Sequence, residues 1–520
     1  MPYYLGLDSS TQSLSAMAID PEQGRVVLDE SVNFGRDLPQ YASPHGFLEN
    51  ANPNIKHSNP LMWVDALDLL LSRVRASGFD LSKVAAVSGA GQQHGSVYLA
   101  TPLSEAGNFP ADRPLVDSVG PLLSRASSPI WMDSSTSAAC GEIASAVGGD
   151  SVVTRVTGSR TIERFTGPQI RKFYRDEPAS YAKTREIHLV SSFMASLLVG
   201  TTAPIDLGDG AGMNLLDLAT GSFSRDLLEA TAPGLGAKLP GPVPSTQQVG
   251  EVAGYFIEKY GFSPGTRVYA FTGDNPSSLI GMGASAPGTA VVSMGTSDTV
   301  FAAMREPRTD PQGFGHVFGN PAGGFMSLIC FANGSLARER VAKDLGYDWN
   351  AFTRAILEET QPGNAGNLVL PYFAPEMTPK ILAPAAKRFG SQAFVAGEQP
   401  AALVRGIVEA QALSMQHHSR WIGETPNLLL VTGGASRNRG ILQVLADVFQ
   451  AEIRTLRTGN SSALGAALRA AQAGGGHDWA DLYARFAAPD PDLQVAPSPG
   501  TARAYDDLRA RFVAELDSLT

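Results

Sequence analysis

The sequence predicts an α/β protein made of two domains. Apolar runs that end in polar, glycine-containing turns alternate with a stretch of helical periodicity over residues 62–76. The chain has 520 residues, which exceeds the usual length of one domain, roughly 100–200 residues. The alternation starts again after the break GFSPGT. We therefore expect one domain at residues 1–264 and a second at residues 265–520.

Each predicted element follows from a local pattern of apolar residues. In the first domain, YLGLD and RVVLD are typical of strands, and VAAVSGAG is typical of a strand that leads into the polar loop QQHG. Residues 251–260 (EVAGYFIEKY) have the apolar spacing of a helix. In the second domain, RVYAF, TAVVSM, DTVFAAM and NLLLV predict strands. After Gly474 we expect a loop-rich segment, followed by a final helix over residues 502–518.

The composition excludes several classes of function. The 40 Lys and Arg residues against 50 Asp and Glu residues give a formal charge of −10 without a basic run, so we expect no nucleic-acid partner. No apolar run approaches the ~20 residues of a membrane span, and the N-terminus lacks the pattern of a signal peptide. The two cysteines, Cys140 and Cys330, are too few for a disulfide framework. We therefore expect a cytoplasmic protein that does not bind membranes.

Four turns of small residues each carry an acidic or amide side chain. Small residues let backbone N–H groups approach phosphate oxygens, and hydroxyl groups add further donors. A carboxylate such as Asp8 would repel a bare phosphate, but a Mg²⁺ ion bound to it, directly or through water, reverses that repulsion. Because no GxxxxGK[ST] motif occurs, these turns predict a polyphosphate site without a P-loop lysine. The four turns are residues 8–12 (DSSTQ), 273–275 (GDN), 295–298 (GTSD) and 433–438 (GGASRN).

The order of these turns resembles one family over nearly the whole chain. YLGLDSSTQSLSAMAID and AVVSMGTSDTVFAAM share a strand–turn–strand layout, which indicates an internal duplication. LDSSTQ, SMGTSDTVF and VTGGASRNRGILQVLADVF are similar to the two phosphate motifs and the adenosine motif of the FGGY family of carbohydrate kinases. The resemblance implies two duplicated ribonuclease-H-like (actin-like ATPase) domains with the active site in the cleft between them. The chain departs from the family at Ser10, where a glycine is usual, and at Ser15, where a lysine is common.

The segments around the expected sugar site resemble those of particular members of this family. Residues 91–95 (GQQHG), together with WMDSST, ERFTG, AFTGDNP and CFANGSL, are similar to the larger, animal-type members that phosphorylate D-xylulose. An imidazole and amides suit the hydroxyls of a polyol, which both donate and accept hydrogen bonds. The resemblance implies that the sugar is bound by His94, Arg164, Asp274 and Asn275, with Gln93, Trp131 and Asp133 beside them.

The same resemblance implies that ATP binds to three of the turns and to one tryptophan. The residues are Ser10, Thr11, Gln12, Gly295, Thr296, Ser297, Trp349, Gly433, Gly434, Ala435 and Asn438. Catalysis is assigned to two carboxylates. Asp274 is the expected general base for the hydroxyl at O5 of the ketose, and Asp8 is the expected ligand of Mg²⁺. The implied activity is an ATP-dependent ketopentose kinase of pentose catabolism, as a monomer or a homodimer.

Two alternatives remain open at the level of the sequence. The first is another ketopentose or polyol kinase of the same family, such as a ribulokinase, because sequence distinguishes the configuration of one hydroxyl poorly. The second is an actin-like ATPase switch that has no sugar acceptor. Proteins of that second class lack the QQHG and GDN segments that are present here.

Overall fold

The computed structural model describes residues 2–456 and 459–519, in which strands and helices alternate. The strands are β1 Tyr3–Ser9, β2 Ser13–Asp20, β3 Arg25–Asn33, β4 His57–Ser58, β5 Val84–Gly91, β6 Ser96–Leu99, β7 Ser128–Pro129, β8 Glu186–Leu189, β9 Ile205–Asp206, β10 Leu216–Asp217, β11 Ser222–Phe223, β12 Pro242–Val243, β13 Gln248–Glu251, β14 Arg267–Tyr269, β15 Thr272–Gly273, β16 Thr289–Met294, β17 Asp298–Met304, β18 His316–Gly319, β19 Phe325–Phe331, β20 Leu368–Leu370, β21 Lys387–Phe389, β22 Leu428–Thr432, β23 Glu452–Thr455 and β24 Gln494–Val495. The α-helices are α1 Phe34–Asp37, α2 Pro60–Ala76, α3 Leu115–Val119, α4 Ser137–Ala146, α5 Asp150–Thr157, α6 Thr166–Asp176, α7 Pro178–Lys183, α8 Val190–Val199, α9 Leu207–Gly210, α10 Arg225–Thr231, α11 Gly254–Tyr260, α12 Asp274–Gly281, α13 Ser335–Leu345, α14 Trp349–Leu357, α15 Gln392–Ala396, α16 Pro400–Ser419, α17 Arg439–Phe449, α18 Ser461–Gly475, α19 Trp479–Phe486 and α20 Ala502–Asp517.

The chain divides into two compact units. The first comprises Met1–Gly283, Val317–Phe325 and Thr458–Ala488. The second comprises Ala284–His316, Met326–Arg457 and Pro489–Thr520. Residues 265–283, 317–325 and 459–488, which we expected in the second domain, therefore lie in the first unit.

The packing of residues 265–283 and 459–488 explains why these two segments belong to the first unit. Strands β14 and β15 pair in parallel with β5, and α18 packs against β1 and β5. Helices α12 and α18 meet where a Cβ at Gly281 would lie 1.9 Å from the carbonyl oxygen of Ser461, and one at Gly465 would lie 1.8 Å from that of Ser277. Only glycine permits such a close approach of two backbones. This contact holds α18 in the first unit although it follows most of the second unit in the sequence.

A strand hairpin with a parallel neighbour occurs in both units. In the first, β1 pairs antiparallel with β2 and parallel with β5. In the second, β16 pairs antiparallel with β17 and parallel with β22. The two hairpins are the segments in which the sequence indicated a duplication.

The register of the first sheet brings three separate loops to one edge. Asp8 of β1 lies opposite Ala90 of β5, and Gly273 of β15 lies opposite Gly91. The carboxyl ends of parallel strands meet at the same edge of a sheet, which is where α/β proteins usually bind ligands. The turn 8–12, the loop QQHG and the segment GDN therefore converge at this edge.

Each of the three helices predicted from the sequence overlaps a helix of the structure, but several details differ, and most of the other helices were not predicted. Helix α2 contains the predicted 62–76 helix, but α11 begins only at Gly254, because Glu251 belongs to β13. The segment after Gly474, expected to be loop-rich, contains α19. Asp274 is the first residue of α12 and not part of a turn. Within residues 2–456 and 459–519, no helix is both long enough and apolar enough to cross a membrane.

Candidate active site

Two carboxyl groups, Asp8 and Asp274, lie at the carboxyl edge of the first sheet. Asp8 is buried, and its Oδ1 has no hydrogen-bond partner among the described residues. Burial, and then the charge of Asp274, raise the pKa of Asp8 to about 7. Burial also raises the pKa of Asp274 to about 6. Perturbed pKa values of this kind are typical of catalytic carboxylates.

Asp274 is held next to two amide side chains. Its Oδ1 accepts hydrogen bonds from the backbone N–H of Asn275 (2.9 Å) and from Asn275 Nδ2 (3.1 Å). Asn275 Nδ2 also donates to Gln93 Oε1 at 2.8 Å. Gln93 is buried, and its Nε2 has no partner among the described residues. A Cβ at Gly273 would lie 2.4 Å from Gln93 Cγ, so the contact requires glycine at that position.

His94 is neutral and has a fixed orientation. Its Nδ1 lies 2.8 Å from the carbonyl oxygen of Gly212, to which the ring donates its proton. The ring stacks on Phe165 with centroids 4.1 Å apart. Burial, and then the charge of Arg164, lower the pKa of His94 to about 3. This tautomer leaves Nε2 as an acceptor for a hydroxyl proton.

The backbone of the QQHG loop is unusual at His94. This residue has a φ of 72°, in the left-handed region that non-glycine residues seldom adopt. A Cβ at Gly212 would lie 2.9 Å from the imidazole, so the chain there approaches the ring closely. Conformations of this kind cluster at functional sites, where the surrounding structure enforces them.

Of the other side chains predicted for the sugar site, Arg164 and Trp131 are accessible. Arg164 is half-buried, with its guanidinium 5.9 Å from the centre of the Phe165 ring. Trp131 is 43% exposed, and its Nε1 donates to Thr11 Oγ1 at 2.8 Å. This hydrogen bond joins a residue predicted for the sugar to one predicted for the phosphates.

Asp133 has a different environment. It is buried, and its carboxylate accepts hydrogen bonds from Gln169 Nε2 (2.8 Å), the Lys56 N–H (2.9 Å) and Ser135. Burial alone would raise its pKa, but the nearby His57 ring and hydrogen bonds from Ser135 and Gln169 outweigh burial and lower the pKa. Asp133 therefore fixes the surrounding loops, and its role as a sugar ligand stays a prediction.

The side chains of the first turn make different contacts. Ser10 Oγ donates to the carbonyl oxygen of Ser13 at 3.0 Å, which closes the hairpin. Thr11 is half-buried and Gln12 is exposed. Among the described residues, no group of three or more His, Cys, Asp or Glu side chains could hold a metal. Mg²⁺ needs only one or two carboxylates when phosphate oxygens and water complete its shell, so the unpartnered Asp8 Oδ1 fits such an ion.

The second unit contains a cavity of about 400 Å³ that gathers four residues predicted for ATP. These four are Trp349, Gly434, Ala435 and Asn438. Trp349 begins α14 and is 48% exposed, as required for an aromatic ring that stacks on a base. Asn438 caps α17 by accepting the N–H of Ile441 at 3.1 Å. Gly433 precedes the cavity residue Gly434 in the chain, and its φ of 91° favours glycine.

The turn 295–297, which is predicted to bind phosphate, joins β16 to β17. Gly295 is half-buried, whereas Thr296 and Ser297 are exposed. The carbonyl oxygen of Gly295 accepts the N–H of Ser335 at 2.9 Å, which ties the turn to the start of α13. A Cβ at Gly433 would lie 2.3 Å from the carbonyl oxygen of Met294, so the turn 433–438 passes directly beside this strand end.

Two residues near these sites were not predicted from the sequence. In the first unit, Asp209 is buried, and burial raises its pKa well above the usual value, with the charges of Asp206 and Asp274 adding to that effect. In the second unit, Thr353 lines the cavity with Trp349. The spacing of four residues on one helix could have indicated Thr353. No local pattern indicated Asp209, because Ser191 and Asp274, which act on its carboxyl group, come from distant segments.

The chain is similar to known sugar kinases over its whole length. Residues 109–281 match the N-terminal domain of the FGGY family of carbohydrate kinases, and residues 290–474 match the C-terminal domain of that family. The chain is 42% identical to a xylulose kinase of Rattus norvegicus, across 99% of this chain and 96% of that protein. It is 40% identical to xylulose kinase 2 of Arabidopsis thaliana, across 92% of this chain and 87% of that protein.

Solved structures show the same fold at lower identity. A xylulose kinase from Rhodospirillum rubrum has a TM-score of 0.83 at 23% identity, covering 99% of both chains. A glycerol kinase from Plasmodium falciparum, solved with ADP, has a TM-score of 0.77 at 15% identity and covers 100% of this chain and 97% of that chain. These likenesses confirm the predicted α/β fold with its duplicated, ribonuclease-H-like architecture.

Proposed function

Because the chain belongs to the FGGY family of carbohydrate kinases, we propose that it phosphorylates D-xylulose at O5, consuming ATP and releasing ADP. The observation that carries this proposal is the set of side chains at the carboxyl edge of the first sheet. There Asp274, Asn275 and Gln93 form one hydrogen-bonded group, and His94 follows Gln93 directly. Between them they offer acceptors and donors that suit the hydroxyls of a ketose.

In this mechanism the sugar is oriented before its proton is removed. His94 Nε2 accepts a hydrogen bond from one hydroxyl, and the amides of Asn275 and Gln93 contact others. Asp274 in its ionised form accepts the proton of the O5 hydroxyl as that oxygen attacks the γ-phosphorus. Phosphoryl transfer needs little further covalent chemistry from the protein, since positioning and neutralisation of charge supply most of the catalysis.

The nucleotide side of the proposal uses both phosphate turns and the cavity of the second unit. We assign the base to Trp349 and the turn 433–438, and the phosphates to the backbone N–H groups of residues 295–297. Thr11 and Gln12 are assigned to the phosphates as well. Mg²⁺, when bound, neutralises charge on the phosphate oxygens, and Asp8 is the residue that would hold it, directly or through water.

The substrate is tested with a panel of sugars. ADP release, coupled to NADH oxidation, is followed with ATP and Mg²⁺ against D-xylulose, L-xylulose, D-ribulose, L-ribulose and glycerol. We expect kcat/KM to be highest for D-xylulose, by at least about tenfold, because buried hydrogen-bonding groups discriminate strongly between hydroxyl configurations. A preference for another sugar contradicts the assignment of D-xylulose as the substrate but agrees with the assignment as a sugar kinase. ATP hydrolysis that no sugar stimulates would instead favour an ATPase switch.

The raised pKa of Asp274 predicts the acid limb of the pH–rate profile. A general base must be ionised, so kcat/KM should fall about tenfold per pH unit below the pKa of about 6 and level off above about pH 7. At low Mg²⁺, protonation of Asp8, whose pKa is about 7, should make the fall of kcat/KM with decreasing pH steeper. Because the metal favours ionised Asp8, raising Mg²⁺ should shift the limb to lower pH. The measurement is kcat/KM for the sugar from about pH 5 to about pH 8; a flat profile contradicts the assignment of the base.

A further inference from the structure

A buried ion pair between Arg338 and Asp298 adjoins the turn 295–297. Arg338 Nη1 donates to Asp298 Oδ2 at 2.7 Å, and Arg338 Nη2 donates to Asp298 Oδ1 at 3.0 Å. Both side chains are fully buried. A planar, two-bonded pair of this kind has a fixed geometry, which a lysine could not reproduce.

The pair connects the turn to two helices. Asp298 is the first residue of β17 and follows the exposed residues Thr296 and Ser297. Arg338 lies on α13, and its Nη2 also donates to Ser335 Oγ at 3.1 Å. Its Nη1 donates to Gln411 Oε1 of α16 at 2.9 Å.

Further contacts leave the turn little room to move. Gln411 Nε2 donates to the carbonyl oxygens of Asn333 (2.6 Å) and Gly334 (3.1 Å). A Cβ at Gly334 would lie 2.8 Å from the Thr296 carbonyl oxygen and 2.8 Å from the Asp298 nitrogen. The backbone before α13 therefore packs directly against the turn. The ion pair stabilises this contact because it joins α13 to the first residue of β17.

Arg338 also reaches the cavity of the second unit. It lines this cavity together with Trp349 and Asn438. Arg338 therefore holds the turn through its guanidinium and also borders the predicted nucleotide cavity. Stability alone accounts poorly for this arrangement, because a buried ion pair can often be replaced by apolar side chains of similar volume without loss of stability.

We propose that Arg338 and Asp298 are positioning residues for the nucleotide, which hold the turn 295–297 in the shape that receives the phosphates. This inference rests on the proposed function, since it takes the cavity of the second unit to be the ATP site. Backbone N–H groups bind phosphate well only when their directions are fixed in advance. Loss of the pair should weaken nucleotide binding and leave sugar binding, which uses residues of the first unit, unchanged.

The test measures the Kd of ADP by titration calorimetry, without any turnover. Arg338→Met should raise that Kd by at least about tenfold. Arg338→Lys keeps the positive charge but cannot form the two parallel hydrogen bonds to Asp298, and it should raise the Kd less. The Kd of D-xylulose should stay within about twofold. The matched control is Arg405→Met, which removes a guanidinium that is equally buried in the same unit but pairs with Glu409 at 3.1 Å. It should lower Tm yet keep the Kd of ADP within about twofold.

A double variant separates positioning from stability. Asp298→Leu with Arg338→Met leaves no unpaired buried charge, so Tm should return close to that of the unaltered protein while ADP affinity stays low. Recovery of ADP affinity in this variant, or an equal loss in Arg405→Met, would overturn the inference alone. A failure of the unaltered protein to bind ADP would overturn the proposed function and the inference together.

Discussion

Replacing Asp274 with asparagine should reduce kcat for D-xylulose by about 10²–10⁴-fold, the usual contribution of a general base. The amide keeps the size of the side chain and its hydrogen bonding to Asn275 but cannot accept the O5 proton at neutral pH. The Kd of D-xylulose, measured by calorimetry, should therefore stay within about threefold. The measurement of turnover is coupled ADP release under saturating sugar and nucleotide.

Asp20→Asn is the matched control for this prediction. Asp20 is buried in the first unit, where its carboxylate accepts the N–H groups of Glu22 and Gln23 in a turn. It should lower Tm slightly and leave kcat within about twofold. Near-normal turnover in Asp274→Asn would contradict the role of Asp274 as base. A loss of sugar binding that equals the loss of turnover would make Asp274 a sugar ligand only.

Replacing His94 with phenylalanine should lower kcat/KM for D-xylulose by about 10²-fold, because a site that hydrogen-bonds a hydroxyl loses affinity when its partner is removed. The phenyl ring keeps the stacking on Phe165 but has no Nε2 acceptor and no proton to donate to Gly212. Since ATP is assigned to other residues, the KM for ATP should stay within about twofold. Both constants come from coupled ADP release.

Two further variants control for packing and for backbone conformation. His418→Phe removes a buried imidazole from the second unit, where burial lowers its pKa to about 3, and should leave kcat/KM for the sugar within about twofold. His94→Asn keeps a donor and an acceptor and tolerates the φ of 72°, so it should lose less activity than His94→Phe. Equal kcat/KM in the unaltered protein and in His94→Phe would exclude His94 from the sugar site.

The local elements were predictable because their signals lie in neighbouring residues. Short apolar runs that end in polar turns marked β1, β16 and β17, and the helical spacing of residues 62–76 marked α2. The resemblance of three short motifs to one family was equally local, and the family models confirmed it. The sequence by itself therefore determined the fold class, the duplication and the family.

Only the tertiary structure decided which residues meet. The register that sets Asp8 opposite Ala90, and Gly273 opposite Gly91, joins segments about 80 and about 180 positions apart, and no local pattern encodes it. The same is true of α18, which returns to the first unit through glycine contacts with α12. The pairing of distant segments depends on how whole helices and strands pack together, and a pattern of neighbouring residues does not predict that packing.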